Sequence, residues 1–243
     1  MKGIIGIAFI VLLALTFFAT SAGIAQTDST DKKTVTVNGQ YTMSLSPSKA
    51  EIYLGVDTQA VTAKESQQDN ADIVDAVRKA LYAKGLSSVD IETTSYSIYP
   101  VYDYPKSCDT CPYTAPRISG YKTNHLLKIK TTTIDKVGQY LDAAVGAGAN
   151  DVSSIVFTIT DEEKNSIYKQ ALTEAAKDAK SKADSIAAGL GAHITGIVSA
   201  AEGSTYIVPY YRTLAAGAES GASTQVSPGA IEVSASLSVV YEI

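Results

Sequence analysis

Glu51-Ile-Tyr-Leu-Gly-Val-Asp57, then Thr62-Ala-Lys-Glu65, then Ile73, Val74, Val77 and Leu81 ahead of Gly85, and last the β-branched and aromatic run from Val89 to Tyr99: in that order these residues spell strand, helix, strand. The first and last runs suit a pleated, half-buried surface. Thr62 and Glu65 form a capping box, in which the hydroxyl and the carboxylate each bond the other residue's backbone N–H. The apolar positions behind them share one helical face, and Gly85 is a suitable left-handed stop, so the helix is expected over Thr62 to Lys84.

The same order recurs more loosely downstream. Tyr121 to Thr131 reads as a strand, Ile134 to about Ala147 as a short helix burying Val137, Leu141 and Val145 with Gly148 after it, and Ser153 to Thr160 as a strand. Asp161 is expected to cap the longest helix, with Glu162 and Glu163 at the positive end of its dipole. Its inward stripe is Ile167, Ala171, Ala175, Ala179, Ala183 and Ile186, and Gly189 ends it; small residues there allow close packing on a sheet or, less simply, on another helix. His193 to Ala201 follows as a strand. Thr34-Val-Thr-Val-Asn-Gly-Gln alternates and is expected to form a hairpin with 51–57 around Pro47. Ile231 to Ile243 alternates almost perfectly and needs a sheet partner. Strands joined through a helix are normally parallel and the terminal strands look antiparallel. The expected fold is therefore α+β: a mixed β-sheet with long helices packed on it, built from a loose strand-helix-strand repeat.

The N-terminal residues differ from all of this. Lys2 is the only charge before Asp28, and Ile4 to Phe18 is an almost unbroken apolar run, as in the core of a secretory signal. Small residues at Ala19, Ser21, Ala22, Gly23 and Ala25 favour cleavage after Ala22 or Ala25 over an uncleaved anchor. Residues 1–25 are read as the signal segment, 26–33 as a linker and 34–243 as the folded domain. The membrane enters only through that segment if it is retained. Either way the domain is expected outside the cytoplasm, whether periplasmic, cell-surface or secreted.

With 25 acidic and 20 basic residues, the 243-residue chain lacks the basic footprint of a nucleic-acid binder. No Walker loop, Gly-x-Gly-x-x-Gly or Ser-His-Asp signature occurs. Cys108 and Cys111, the chain's two cysteines, stand between prolines in the loop expected over 100–116. Export favours a disulfide between them; a thiol-exchange site and a metal site are the alternatives. Zinc needs four ligands, and only His125 and His193, each in an expected strand, could assist. No metal, cofactor or catalytic residue is assigned. Seven of the 15 tyrosines fall in two expected loops, Tyr99, Tyr102, Tyr104 and Tyr113 in one and Tyr206, Tyr210 and Tyr211 in the other. Tyr is enriched at contact surfaces because it offers area with little rotamer entropy to lose. The alternatives are a protein or glycan contact surface and simple cover for the sheet ends.

Several stretches together resemble the SIMPL-domain family, whose members include exported bacterial envelope proteins. They are Val35-Thr-Val-Asn-Gly-Gln40, Ser46-Pro-Ser-Lys-Ala-Glu-Ile-Tyr-Leu-Gly-Val56, Asp90-Ile-Glu-Thr-Thr-Ser-Tyr-Ser-Ile-Tyr-Pro100, Gly120-Tyr121, Leu141-Asp-Ala-Ala-Val-Gly-Ala-Gly-Ala-Asn150, the alanine-rich helix ending in Gly191, and Pro228 to Glu242. Pro47-Ser48 departs from the Pro-Asp of many members, and the cysteine loop is variable among them. The resemblance implies an extracytoplasmic α+β fold, self-association, and an association with envelope integrity or oxidative stress. It supplies no active site. The expectation is a non-enzymatic, self-associating envelope protein; the alternative is a thiol-disulfide or metal-dependent redox protein using Cys108 and Cys111.

Overall fold

The computed structural model describes residues 33–104, 115–212 and 224–243. The expected signal segment, most of the linker, Cys108, Cys111 and Tyr113 lie outside the described residues.

Thr62 caps α1 (Ala63–Ala83) as its sequence requires: its hydroxyl accepts from Glu65 N, and Glu65 accepts from Thr62 N. Gly85, Gly148 and Gly191 follow the three helices at φ 100°, 113° and 68°, a region that glycine enters without the Cβ penalty. The long helix α3 (Asp161–Gly189) ends on Gly189 as expected, and the left-handed residue beyond its cap is Gly191. Its N-cap is Thr160, not Asp161. Thr160 has a glutamate three residues on and closes a capping box with Glu163, whereas Asp161 lies in the first turn and bonds Lys164 at 2.6 Å.

Two antiparallel sheets carry the fold. The larger runs in the order β3 (Ile91–Asp103), β4 (Arg117–Thr131), β2 (Lys49–Ala60), β5 (Asp151–Thr158), β7 (Tyr210–Arg212). The smaller is β1 (Thr34–Leu45), β8 (Ile231–Glu242), β6 (Gly196–Val208). The expected mixed sheet is corrected here, because every pairing is antiparallel. The two strand-helix-strand units are split and interlocked. β2 and β3, joined through α1, both run antiparallel to β4, which lies between them; β4 and β5, joined through α2 (Val137–Gly146), bracket β2 in the same way. The helix-joined strands keep a common direction but never touch.

The expected β1–β2 hairpin does not form either. β1 pairs with β8 from Thr34↔Glu242 to Leu45↔Ile231, joining the chain's two most regular alternating segments. Ser48 explains the crossing to the other sheet: its N–H bonds Thr158 O at 3.0 Å, its hydroxyl accepts from Thr160 N at 3.1 Å, and it donates to Glu163. β2 is thereby tied to the start of α3 and steered away from β1.

Under the larger sheet, α1 and α2 close a core of Ile52, Leu54, Val56, Val74, Val77, Leu81, Leu127, Ile129, Val137, Ile155 and Phe157. Leu141 is buried as expected, but Val145 is 49% exposed, and Ile186 in α3 is likewise turned outward. The buried stripe of α3 is Ala171, Ala175, Ala179, Ala183 and Ala187, set on β1 and β8. A Cβ on Gly39 would collide with the Ala175 carbonyl oxygen, so glycine in β1 and alanine in α3 together permit this approach.

Candidate functional site

The expected tyrosine loops are largely strand. β3 extends through Tyr99 and Tyr102 to Asp103, β6 runs on to Val208 and includes Tyr206, and Tyr210 and Tyr211 form most of β7. The tyrosines therefore sit on strands at sheet edges and do not converge on one patch. Tyr99, Tyr102 and Tyr104 are 43%, 46% and 71% exposed at one edge of the five-stranded sheet, with the Tyr102 and Tyr104 rings 6.4 Å apart. β7 is the opposite edge. There Tyr211 is exposed, while Tyr210 turns inward, its ring 6.2 Å from Phe157, and is a core residue more than a contact residue. Tyr206 stands exposed on β6, an edge of the smaller sheet.

These edges differ in their cover. The outward backbone groups of β1 are met by α3: Gln40 N–H bonds Asp178 at 2.9 Å and Lys182 bonds Asn38 O at 3.0 Å, while Asp178 and Lys182 pair at 2.6 Å. The Lys182 ammonium and the Gln40 N–H hold the Asp178 carboxyl below its usual range. β3, thirteen residues long, pairs only with β4 among the described strands. Pro100 and bulges at Thr93/Ser95 and Val101/Tyr102 interrupt its regularity, as edge strands often require.

The two histidines occupy separate places. His193 precedes β6 instead of lying in a strand, and lines a groove at the end of α3 with Lys180, Asp184, Thr195 and Tyr241. His125 lies on β4 in a cleft of about 290 Å³ under α1, with Gln67, Asn70, Asp75, Arg78 and Tyr96. Its Nε2 is 2.9 Å from Thr93 Oγ1, which accepts from Arg78 at 3.4 Å, and the Tyr96 ring stands edge-on at 5.2 Å. Burial and, after it, the neighbouring Arg78 charge push the His125 imidazole below its usual range. Among the described residues no group of three or more His, Cys, Asp or Glu side chains is placed to hold a metal ion.

The cleft continues into a buried polar seam. Ser66 Oγ lies 2.7 Å from Thr123 Oγ1, Thr58 donates to Ser66 O at 2.7 Å, and Asn70 Nδ2 donates to Val56 O at 2.8 Å. Sequence reasoning did not single out Asn70, Arg78, Thr93 or Tyr96. One signal was available: Ser66 and Asn70 continue the buried face of Val74, Val77 and Leu81 at four-residue spacing, so two polar residues occupy core positions.

The outer face of the larger sheet carries a charge lattice. Lys49 pairs with Glu51 at 3.0 Å, Tyr53 donates to Glu51 at 3.0 Å, and Lys128 and Lys130 converge on Glu92. Burial, and then the Glu51 hydrogen bond, push the Tyr53 hydroxyl up to about 12, so it remains a donor.

The chain is similar over residues 35–241 to the SIMPL family model, described as "Protein of unknown function (DUF541)". It is 27% identical over 221 residues to the 26 kDa periplasmic immunogenic protein of Brucella melitensis biotype 1, covering 88% of this chain and 86% of that one. The protein of the same name in Brucella abortus matches with the same identity and coverage. The uncharacterized protein YggE of Edwardsiella ictaluri is 23% identical over 166 residues, 68% of this chain and 66% of its own. With its matching stretches running from the first residues of β1 to the last of β8, the chain belongs to the SIMPL family.

Proposed function

We propose that this chain is an extracytoplasmic, non-enzymatic protein that assembles with copies of itself through the β3 edge, in the service of envelope integrity or stress protection. The observation that carries the proposal is the contrast between edges: β1 is bonded by α3 side chains, whereas β3 carries exposed Tyr99 and Tyr102 and leads into Tyr104. An open strand edge is a template for another chain, and aromatic anchors concentrate contact energy. The location rests on the N-terminal apolar segment and on relatives named as periplasmic. Replacing Tyr99, Tyr102 and Tyr104 by Ser should shift sedimentation toward the monomer with the unfolding midpoint unchanged. Assembly retained in that variant would remove β3 from the interface.

An oxidising compartment also sets the expected state of Cys108 and Cys111, a disulfide. Thiol titration of the denatured, unreduced protein should find no free thiol. Two reactive thiols would favour the thiol-exchange reading instead.

A further inference from the structure

We infer that the β3 edge of one copy docks on the β6 edge of the next, so that copies join head to tail. The inference deepens the assembly reading above and rests on it. Of the four sheet edges, β1 is bonded by α3 and β7 is three residues long. That leaves β3 and β6, each of 13 residues and each with a single partner among the described strands. β6 is the barer of the two. Residues 197–204 are exposed without a break, on both faces of the sheet, because α3 is seated on β1 and β8 and reaches β6 through the Tyr168 hydroxyl on Glu202. Ile197, Val198, Tyr206 and Val208 are exposed along it, and a long edge strand that carries apolar side chains is a template for another chain.

The two strands complement each other in size. Laid antiparallel over their full length, Tyr96, Ile98 and Tyr99 of β3 face Gly203, Ala201 and Ala200 of β6, and Val101 and Tyr102 face Val198 and Ile197. Rings set over glycine and alanine fill the space that those residues leave in an edge strand. Acids stay apart in this register: Glu92 and Asp103 fall opposite Ile207 and Gly196, and Glu202 opposite Ser97. β6 paired in the same way with its own copy would set Glu202 against Glu202, a like-charge pair. β3 paired with its own copy would leave Ile197 and Val198 in water. Bulges at Thr93/Ser95 and Val101/Tyr102, and at Ile197/Ser199 and Glu202/Thr205, confine the regular ladder to 97–100 against 199–202, with side chains supplying the rest of the contact. Each strand runs roughly 43 Å at about 3.3 Å per residue, and a strip that long and about 20 Å wide provides the ~800 Å² per partner of a specific contact. β6 leads through Pro209 into β7, the edge of the larger sheet farthest from β3, so the open edges lie on opposite sides of the domain. Head-to-tail contacts of this kind close into rings or extend as chains.

Sedimentation of variants with one edge disabled, alone and mixed, tests the inference. Tyr99→Ser, Tyr102→Ser and Tyr104→Ser together disable β3. Ile197→Ser with Ala201→Arg disables β6, and since both positions are exposed the urea midpoint should not move. Expected are a single subunit for either variant alone, at a concentration where the wild type assembles, and two subunits but no more for an equal mixture, because one intact β3 then meets one intact β6. A β6 variant that keeps the wild-type mass while the tyrosine variant falls to one subunit overturns the inference and leaves β3 pairing with itself. Two variants that fall apart and stay single on mixing overturn it as well. A tyrosine variant of wild-type mass removes β3 from assembly, and with it the reading on which the inference rests. Should the double β6 variant not fold, Ile197→Ser alone carries the test: it should weaken assembly about tenfold, as truncating an interface anchor does, and unchanged assembly overturns the inference.

Discussion

α1 meets its sheet with Val74, Val77 and Leu81, whereas α3 meets the smaller sheet with five alanines at four-residue spacing. The first helix is held by the volume of its side chains. The second is held by closeness, with Gly39 and Ala175 at the tightest point and Asp178 and Lys182 near enough to bond the β1 backbone. The difference shows why β1 is covered and β3 is not: a helix that sits low beside its sheet can spend polar side chains on the edge strand next to it, while α1, raised on larger residues, packs on β2 and β4 and leaves β3 with few contacts; β6, the other edge of the smaller sheet, is exposed as well.

The comparison makes opposite substitutions damaging in the two halves. Leu81→Ala removes a fully buried side chain from the larger core and should cost about 2–5 kcal/mol in chemical denaturation. Ala179→Leu, enlarging a side chain at the closest approach of α3, should cost about 1–3 kcal/mol by overpacking, although leucine is a good helix former. An Ala179→Leu variant as stable as wild type would show that α3 has slack and that the alanine stripe does not set its distance.

The helix starts test the comparison on a smaller scale. Thr160→Ala should lower stability by about 0.5–2 kcal/mol, since Thr160 caps α3 and faces Ser48 at the crossing between sheets. Asp161→Ala should move the denaturation midpoint much less, because Asp161 makes only surface ion pairs with Lys164 and Lys49. Equal effects would restore Asp161 as the cap.

The smallest effect is a pH dependence confined to the larger half. His125 is held below its ordinary value of 6.5 by burial and Arg78, so the unfolded chain binds its proton more readily than the folded one. Its contribution is therefore complete above about pH 6.5 and is lost as pH falls through that value toward the folded midpoint. His125→Gln should flatten this acid-side decline in urea midpoints; an unchanged slope would assign the decline to other groups.

What the sequence shows is largely what neighbouring residues decide. Thr62 with Glu65, the glycine stops and the alternation of Ile231 to Glu242 all appear where expected, because caps, left-handed turns and pleat are local. Thr160 was equally readable and was passed over for Asp161, although only Thr160 has an acid three residues on. Strand partners were not readable in the same way. Nothing within 34–57 says that β1 belongs to β8, nearly two hundred residues away, because antiparallel register depends on which distant alternating strand fits best. The tyrosine segments looked like loops because four prolines and two cysteines crowd 100–116 and Gly, Ser, Ala and Thr dominate 202–229, yet edge strands tolerate both a proline and a bulge. The His125 cleft was hidden for a related reason: Asn70, Arg78, Thr93 and His125 come from three elements and meet only when β4 is inserted between β2 and β3.

The central claim is that the open edge of the larger half is used for assembly. Light scattering of the wild-type protein across a hundredfold concentration range tests it most directly. The account predicts a mass that is a multiple of the subunit and falls toward one subunit when Tyr99, Tyr102 and Tyr104 are replaced by Ser. A wild-type protein that remains a single subunit over the whole range would contradict it.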